Sequence, residues 1–243
     1  MSTNISVINS GLNYLIIKLL SYIMLMEGIG YYKGKTNMTV TNLKEICEQA
    51  MEVGTKIDLS DCPYGETTGS CYFVKRPTNY YFFLAGLVRL QRLTHIVEIG
   101  TNYGGSIMSM SKGIYKDDIE NSRLVTVDII RKNNEGFKKY PHIKRIYGDS
   151  LKEDVARKIV GSFDKKIDLI YIDSVHEYNH TRENIYTYAA KLSPRYVVLD
   201  DIRQCDDMIR LWCELVEEFG NNAFDASDIS IRKGAGFGVI RWR

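Results

Sequence analysis

The sequence has few of the features that mark a disulfide scaffold, a zinc protein or a nucleic-acid binder. Its five cysteines are an odd number and form no Cys-x-x-Cys pair, so neither a disulfide framework nor a zinc site is indicated. The 32 basic and 30 acidic residues leave a formal charge of +2. Bulk charge therefore favours neither nucleic acid nor a lipid surface as the partner. We expect a small-molecule ligand and a reducing cytoplasm as the compartment.

A long apolar run is missing as well. The most apolar stretch, residues 12–26, is interrupted by polar side chains and is shorter than the roughly 20 residues that a membrane helix needs. It also lacks the cleavage site of a secretory signal. We predict a helix that ends at Gly28 and Gly30 and is buried against the core or another subunit, with a homo-oligomer as the expected assembly and a role at a membrane surface as the alternative.

The composition suits a globular domain with a modest extension. Of the 243 residues, 44% are hydrophobic, which allows a sizeable core. After residue 78, short apolar runs alternate with helical segments, as in α/β proteins. The predicted strands are 96–99, 124–127, 143–147, 169–172 and 196–199. We expect residues 1–78 to form a helical extension and substrate-entrance segment, and residues 79–243 to form the main domain.

The predicted helices lie between and around these strands. Helices near 106–115, 151–160 and 181–191 are long enough for the right-handed crossovers that parallel strands require. Others are predicted near 43–53, from the N-cap Thr78 to Leu93, and at 203–219. Residues 229–232 and 237–242, around a Gly-Ala-Gly turn, read as an antiparallel hairpin. The predicted fold is a Rossmann-like, doubly wound, seven-stranded sheet that is mostly parallel, with an antiparallel C-terminal hairpin and an N-terminal helical extension.

Acidic residues end two of these apolar runs. Asp173 follows Leu-Ile-Tyr-Ile, and Asp200, with Asp201 beside it, follows Tyr-Val-Val-Leu. Ligands bind at the carboxyl ends of the strands in an open α/β sheet, and carboxylates gathered there suit a divalent cation. His176 stands three positions after Asp173 and supplies a base that is tunable near neutral pH. The bland alternatives are that the acidic pair caps the helix predicted near residue 203, and that His176 is a surface histidine.

The first predicted strand runs into a glycine-containing turn, Glu98-Ile-Gly-Thr-Asn-Tyr-Gly-Gly-Ser106, which opens a helix and allows a ligand to approach closely. Asn102 replaces the second glycine of the dinucleotide fingerprint, so a nicotinamide enzyme is disfavoured. Asp128 ends the second strand, where it can accept both hydroxyls of a ribose. Asp149, after the third, can accept the amino group of an adenine. An ordinary strand-to-helix turn is the alternative for the glycine segment.

With these motifs in order, residues 79–243 resemble the class I S-adenosylmethionine-dependent methyltransferases. The glycine turn is similar to that of catechol O-methyltransferase, including the final serine. The Asp173-x-x-His176 spacing with an acidic pair resembles the macrocin O-methyltransferase and cephalosporin hydroxylase-like branch, which acts on sugar and natural-product hydroxyls. The resemblance implies a donor pocket made of Glu98, Gly100, Thr101, Asn102, Gly104, Gly105, Ser106, Asp128, Asp149 and Ser150.

The resemblance implies an enzyme that transfers a methyl group from S-adenosylmethionine to a hydroxyl of a sugar or of a glycosylated or nucleotide-linked small molecule. Asp173, Asp200 and Asp201 are expected to bind Mg²⁺, or Mn²⁺ or Ca²⁺, and His176 to act as the general base beside Asp173. The alternatives are a catechol-like phenol or a nitrogen as the acceptor, and a non-catalytic nucleotide-binding scaffold. A hydroxylase is discouraged, because the sequence lacks the two-histidine, one-carboxylate set of a non-haem iron site.

Overall fold

The computed structural model describes residues 42–66, 72–74, 77–164, 166–232 and 234–243, with the backbone alone at 64–66 and 72–74. They fall within a compact unit that spans Thr41–Arg243. The helix predicted at 12–26, and with it the predicted subunit contact, lies outside the described residues. The division at residue 78 stays a prediction.

The secondary structure alternates between helices and strands along most of the chain. The helices are α1 (Leu43–Gly54), α2 (Asn79–Gln91), α3 (Gly105–Gly113), α4 (Glu153–Val160), α5 (Tyr178–Leu192) and α6 (Asp206–Phe219). The strands are β1 (Tyr64–Glu66), β2 (Tyr72–Val74), β3 (His95–Ile99), β4 (Arg123–Asp128), β5 (Ile143–Tyr147), β6 (Leu169–Ile172), β7 (Tyr196–Asp200), β8 (Ala223–Asp225) and β9 (Phe237–Arg241).

Strands β3 to β9 form one seven-stranded sheet in the order β5-β4-β3-β6-β7-β9-β8. The neighbours from β5 to β7 are parallel, whereas β9 runs antiparallel to both β7 and β8. The chain builds outward from β3 through β4 to β5 and then returns to place β6 on the other side of β3. The strand order therefore reverses between β3 and β6, and a crevice is expected at their carboxyl ends.

The central strands are buried on both faces. Every residue of β3, β6 and β7 is buried, as expected for parallel strands covered by helices on each side. Because successive side chains point to opposite faces, Ile96 joins the core beside α1, α2 and α3, whereas Val97 and Ile99 join the core beside α4, α5 and α6. The sheet thus separates two apolar cores and leaves its carboxyl edge for polar chemistry.

The predicted α/β fold is confirmed, but the prediction of a strand at residues 229–232 in the C-terminal hairpin is wrong. Residues 229–232 form a turn, in which the Arg232 amide donates to the Ser227 carbonyl at 2.8 Å and Ile231 has a φ of 57°. The alternating apolar pattern of these residues suggested a strand, yet the partner of β9 is the three-residue strand β8. Helix α6 also starts later than predicted, with Cys205 as its N-cap, so Asp200 and Asp201 do not cap it.

Hydropathy along the helices of the described part reveals none with the length and apolar character that crossing a bilayer demands.

Candidate active site

The loops after β3 and β6 meet at the point where the strand order reverses. The Asp173 amide donates to the Ile99 carbonyl at 2.9 Å. Gly100 has a φ of 103°, and a Cβ at this position would lie 1.8 Å from the Asp173 carbonyl oxygen. Only glycine fits both the backbone conformation and the space. The predicted cofactor loop and the predicted metal-binding loop are therefore packed directly against each other.

The glycine turn after β3 is held by its own backbone and by the end of β4. Gly104 takes a left-handed conformation with a φ of 83° and forms the N-cap of α3. The Asn102 amide, at a φ of 46°, donates to Asp128 Oδ2 at 2.8 Å. The other Asp128 oxygen, Oδ1, accepts from the Ile130 amide at 2.8 Å. Asp128 thus joins the turn to the neighbouring strand end, and each of its oxygens retains a lone pair for a ligand.

Glu98 supports this turn from below and does not reach the cavity. Its side chain is fully buried and accepts hydrogen bonds from the hydroxyls of Ser106 and Thr126, the latter at 2.5 Å. Burial raises the pKa of Glu98 to about 8, although the two hydroxyl donors oppose the rise. The buried carboxyl group therefore fixes the Ser106 hydroxyl at the start of α3.

Asp173, His176 and Asp201 come together at the ends of β6 and β7. One ligand atom from each side chain lies within 4.8 Å of the others. His176 Nε2 is 3.0 Å from Asp201 Oδ2 and 3.8 Å from Asp173 Oδ1. The contact with Asp201 lacks hydrogen-bond geometry, and this buried nitrogen has no hydrogen-bond partner among the described residues. The nitrogen thus lies within ion-pair distance of Asp201 but makes no hydrogen bond within the described part of the chain, which leaves it available to a ligand or an exchanging proton.

The charges of this cluster perturb its members. Burial raises the pKa of Asp173, and the neighbouring Asp201 carboxylate adds to the rise. Burial lowers the pKa of His176, but the Asp201 and Asp173 carboxylates outweigh it and bring the pKa above its ordinary value. Perturbed groups that converge in a cleft are typical of a functional site.

Asp200, which was predicted as a third metal ligand, has other partners in the structure. Its carboxylate is completely buried and receives two hydrogen bonds from Arg232, Nε to Oδ1 at 3.0 Å and Nη2 to Oδ2 at 3.1 Å. The Asp201 amide also donates to Asp200 Oδ1 at 2.9 Å. Burial and the charges of Asp173 and Asp201 raise the pKa of Asp200. Both oxygens of the Asp200 carboxylate therefore accept from Arg232, and Asp200 is not among the side chains that converge as Asp173, His176 and Asp201 do.

A cavity of about 440 Å³ lies over this edge of the sheet. Its walls include seven of the predicted site residues, Gly100, Thr101, Asn102, Ser106, Asp173, His176 and Asp201. The structure therefore brings the glycine turn and the histidine-carboxylate cluster into a single cavity.

The remaining predicted residues lie outside this cavity. Asp128 ends β4, while Asp149 and Ser150 follow β5 along the same edge of the sheet. Asp149 Oδ1 accepts from the Leu151 amide at 2.9 Å, and the Ser150 hydroxyl donates to the buried amide oxygen of Asn184 at 2.7 Å. Glu98, Asp200, Gly104 and Gly105 act by supporting the residues that form the walls.

Several wall residues were not predicted from the sequence. They are Tyr80, Tyr81, Tyr103, Ser174, Gln204, Arg232 and Ala235. Arg232 stood in the segment that was assigned to a strand, so no pattern marked it. Tyr80 and Tyr81 lie in the aromatic helix after Thr78, where burial alone explained them.

The carboxylates and the imidazole match the donors that divalent cations take in proteins. Mg²⁺ is commonly held by one or two carboxylates and keeps several waters, and the exposed fractions of about a quarter for Asp173 and His176 leave room for them. The orphaned His176 nitrogen and the carboxylates of Asp173 and Asp201 therefore fit a cation or a cation with an adjacent base.

The family comparison agrees with this geometry. Residues 74–237 match the model of the family described as rhamnosyl O-methyltransferase/CmcI. This chain belongs to that family. The predicted class of S-adenosylmethionine-dependent O-methyltransferase is thereby confirmed at the level of the family. No curated protein matches the chain.

Solved structures share the fold of this rhamnosyl O-methyltransferase/CmcI family member at low sequence identity. An O-methyltransferase from Bacillus cereus in complex with SAH is 20% identical, with a TM-score of 0.52, over 84% of this chain and 93% of that one. The cofactor-bound protein Rv0187 from MTB is 18% identical, with a TM-score of 0.53, over 84% and 93% of the two chains. A third, a putative O-methyltransferase from Klebsiella pneumoniae, is 18% identical, with a TM-score of 0.51, over 90% and 94%.

Proposed function

We propose that the protein transfers a methyl group from S-adenosylmethionine to a hydroxyl of a sugar or of a glycosylated or nucleotide-linked small molecule. One observation carries the proposal: a single cavity is lined both by residues of the glycine turn, Gly100 to Tyr103 and Ser106, and by Asp173, His176 and Asp201. The sugar hydroxyl as acceptor is supported by the family's description as rhamnosyl O-methyltransferase.

The donor site is proposed along the edge of the sheet from β3 to β5. The turn at Gly100 allows the methionine part of the donor to approach the backbone closely. Asp128 accepts the ribose hydroxyls with the lone pairs that its two backbone contacts leave available. Asp149 accepts the adenine amino group, and Ser150 lines that end, where the hydrogen bond to Asn184 fixes its hydroxyl.

A divalent cation, Mg²⁺ or alternatively Mn²⁺ or Ca²⁺, is proposed between the carboxylates of Asp173 and Asp201. Such a cation, when bound, lowers the pKa of a hydroxyl that it coordinates and orients the acceptor. Asp200 remains paired with Arg232 in this arrangement and acts as a positioning residue. The cation thus has two direct carboxylate ligands, Asp173 and Asp201, in place of the three expected from the sequence.

His176 is proposed as the general base. Its Nε2 atom is buried without a hydrogen-bond partner among the described residues and faces both carboxylates. The acceptor oxygen attacks the methyl carbon, the carbon–sulfur bond breaks to release S-adenosylhomocysteine, and the hydroxyl proton passes to His176. A positioned base of this kind contributes about 10² to 10⁴ in rate. Because the base must be neutral, the rate rises with pH through the pKa of His176; the carboxylates raise this pKa in the metal-free site, and a cation bound to them lowers it.

The test is a methyl-transfer assay with S-adenosylmethionine and a panel of nucleotide sugars, glycosides, phenols and amines, with and without a chelator. Turnover of a sugar hydroxyl that stops with chelator and returns with Mg²⁺ is expected. A phenol or an amine as the preferred acceptor would contradict the sugar assignment. Donor binding without turnover of any acceptor in the panel would contradict catalysis.

Two substitutions separate the roles of the metal ligand and the base. Asp173→Asn should abolish Mg²⁺ dependence and lower kcat, with the exposed Asp117→Asn as the matched control. His176→Ala should lower kcat by about 10² or more at neutral pH and leave the affinity for Mg²⁺ and donor within about threefold of the parent. Loss of Mg²⁺ affinity in His176→Ala would show that the imidazole is a ligand and would refute its role as the base.

A further inference from the structure

The cavity contains a cation of the protein's own. The Arg232 guanidinium binds Asp200 through two hydrogen bonds, and its Nη2 also lies 2.9 Å from Asp201 Oδ1. The second oxygen of Asp201, Oδ2, is the atom 3.0 Å from His176 Nε2. Asp201 therefore stands between Arg232 on one side and the proposed cation site on the other.

The fold fixes Arg232 in this place. Its amide donates to the Ser227 carbonyl at 2.8 Å, and its carbonyl accepts from the Gly236 amide at 2.7 Å. The Gly236 carbonyl in turn accepts from the Asp201 amide at 3.0 Å. The guanidinium also lies over the ring of Tyr80, 4.9 Å from its centroid. The backbone that carries Arg232 is thus bonded to the backbone that carries Asp201.

The hydrogen-bond geometry divides the acidic pair. An arginine fork matches a carboxylate in a bidentate manner, and with the Asp201 amide on Oδ1 it leaves Asp200 a lone pair on Oδ2 alone. Asp201 contacts the same guanidinium with Oδ1 only, and its Oδ2 lies beside His176. A positive charge next to the site repels an arriving cation, whereas a free Asp200 carboxylate would attract it.

We propose that Arg232 is a positioning residue that keeps Asp200 out of the cation's ligand set and weakens divalent-cation binding to Asp173 and Asp201. This inference rests on the proposed function, since it assumes the cation site described above. The affinity for the cation is then set by an arginine in a turn 31 residues beyond Asp201.

The experiment measures Mn²⁺ binding to the purified protein with S-adenosylhomocysteine present, by titration calorimetry and by the free-ion signal in electron paramagnetic resonance. Arg232→Met removes the charge and releases Asp200, so Mn²⁺ should bind at least about tenfold more tightly than to the parent. Arg232→Lys keeps a positive charge but cannot form the planar fork, so its affinity should fall between the two. Asp173→Asn in the parent locates the signal at this site.

The variants also report on folding. Arg232→Met leaves the buried Asp200 without its partner, so the thermal midpoint of this variant should be lower than that of the parent. Added Mn²⁺ should raise the midpoint of the variant by more than it raises the midpoint of the parent. Folding of this variant only with Mn²⁺ would equally support the inference, and Arg232→Lys supplies the affinity comparison in that case. If Mn²⁺ binds both variants as weakly as the parent or more weakly, and the parent shows a normal Asp173-dependent signal, the role proposed for Arg232 is overturned but the metal site is not. Absence of that signal from the parent and both variants would overturn the metal site and this inference together.

Discussion

Glu98→Gln provides a direct test of the buried carboxyl group beneath the glycine turn. Glutamine keeps the shape of the side chain and, like the protonated carboxyl group, offers one acceptor oxygen and a donor, but it cannot lose a proton. The pKa of Glu98 in the fold, about 8, exceeds the ordinary value of 4.5 by about 3.5. At about 1.36 kcal/mol for each pH unit, this difference corresponds to about 5 kcal/mol as an upper bound.

The sign follows from proton binding. Between pH 4.5 and pH 8 the unfolded chain has released the Glu98 proton and the folded chain retains it, so stability falls as the pH rises. Above pH 8 both states are ionised and the loss is complete. Glu98→Gln should therefore become more stable relative to the parent by up to about 4 kcal/mol between pH 5 and pH 9, since about 1 kcal/mol of the loss falls below pH 5.

The assay is urea unfolding followed by circular dichroism at intervals of about one pH unit from 5 to 9. The exposed Glu120→Gln is the matched control, and its difference from the parent should not follow this trend. A constant difference between Glu98→Gln and the parent over the whole range would refute the reasoning. It would mean that the Ser106 and Thr126 hydroxyls stabilise the carboxylate enough to cancel the effect of burial.

Three further predictions concern the loops. Gly100→Ala should destabilise the fold by about 3 kcal/mol and abolish donor binding in calorimetry, because its methyl group would lie 1.8 Å from the Asp173 carbonyl oxygen. Gly234→Ala, at a position with open space, is the control. Equal stability and donor affinity in the two variants would contradict the close approach. Asp128→Asn should weaken donor binding at least about tenfold, since the amide group meets two backbone donors with one acceptor oxygen; unchanged donor affinity would argue against the ribose assignment. Removal of divalent cations should lower the thermal midpoint by about 5–10 °C relative to protein with Mg²⁺ at 100 times its Kd, which stabilises by about 2.7 kcal/mol; coincident melting curves would contradict a bound cation.

The sequence was informative about the strands that end in the site. Asp173 and Asp200 each follow four apolar residues, and the sheet places both at its carboxyl edge as predicted. The glycine turn was equally legible, because Gly100 and Gly104 hold conformations that disfavour other residues. Local patterns determined these features, so local reasoning found them.

The partners of the acidic pair were not accessible in the same way. Arg232 reaches Asp200 across 32 positions of the sequence, from a turn whose Ile-Ser-Ile-Arg pattern imitates a strand. Nothing near Asp200 in sequence separates it from Asp201, yet Asp200 accepts from the arginine with both oxygens, whereas Asp201 accepts with one and lines the cavity. Long-range ion pairing of this kind is decided by tertiary packing rather than by spacing.

The missing space between Gly100 and the Asp173 carbonyl has a mechanical consequence. Two loops in backbone contact cannot be displaced one at a time, so any movement made to admit the first substrate is felt by the groups that meet the second. Amide resonances of residues 173–176 should therefore respond when S-adenosylhomocysteine is titrated alone. Binding of the donor product beside Gly100 would then alter the loop that carries Asp173 before any methyl transfer takes place.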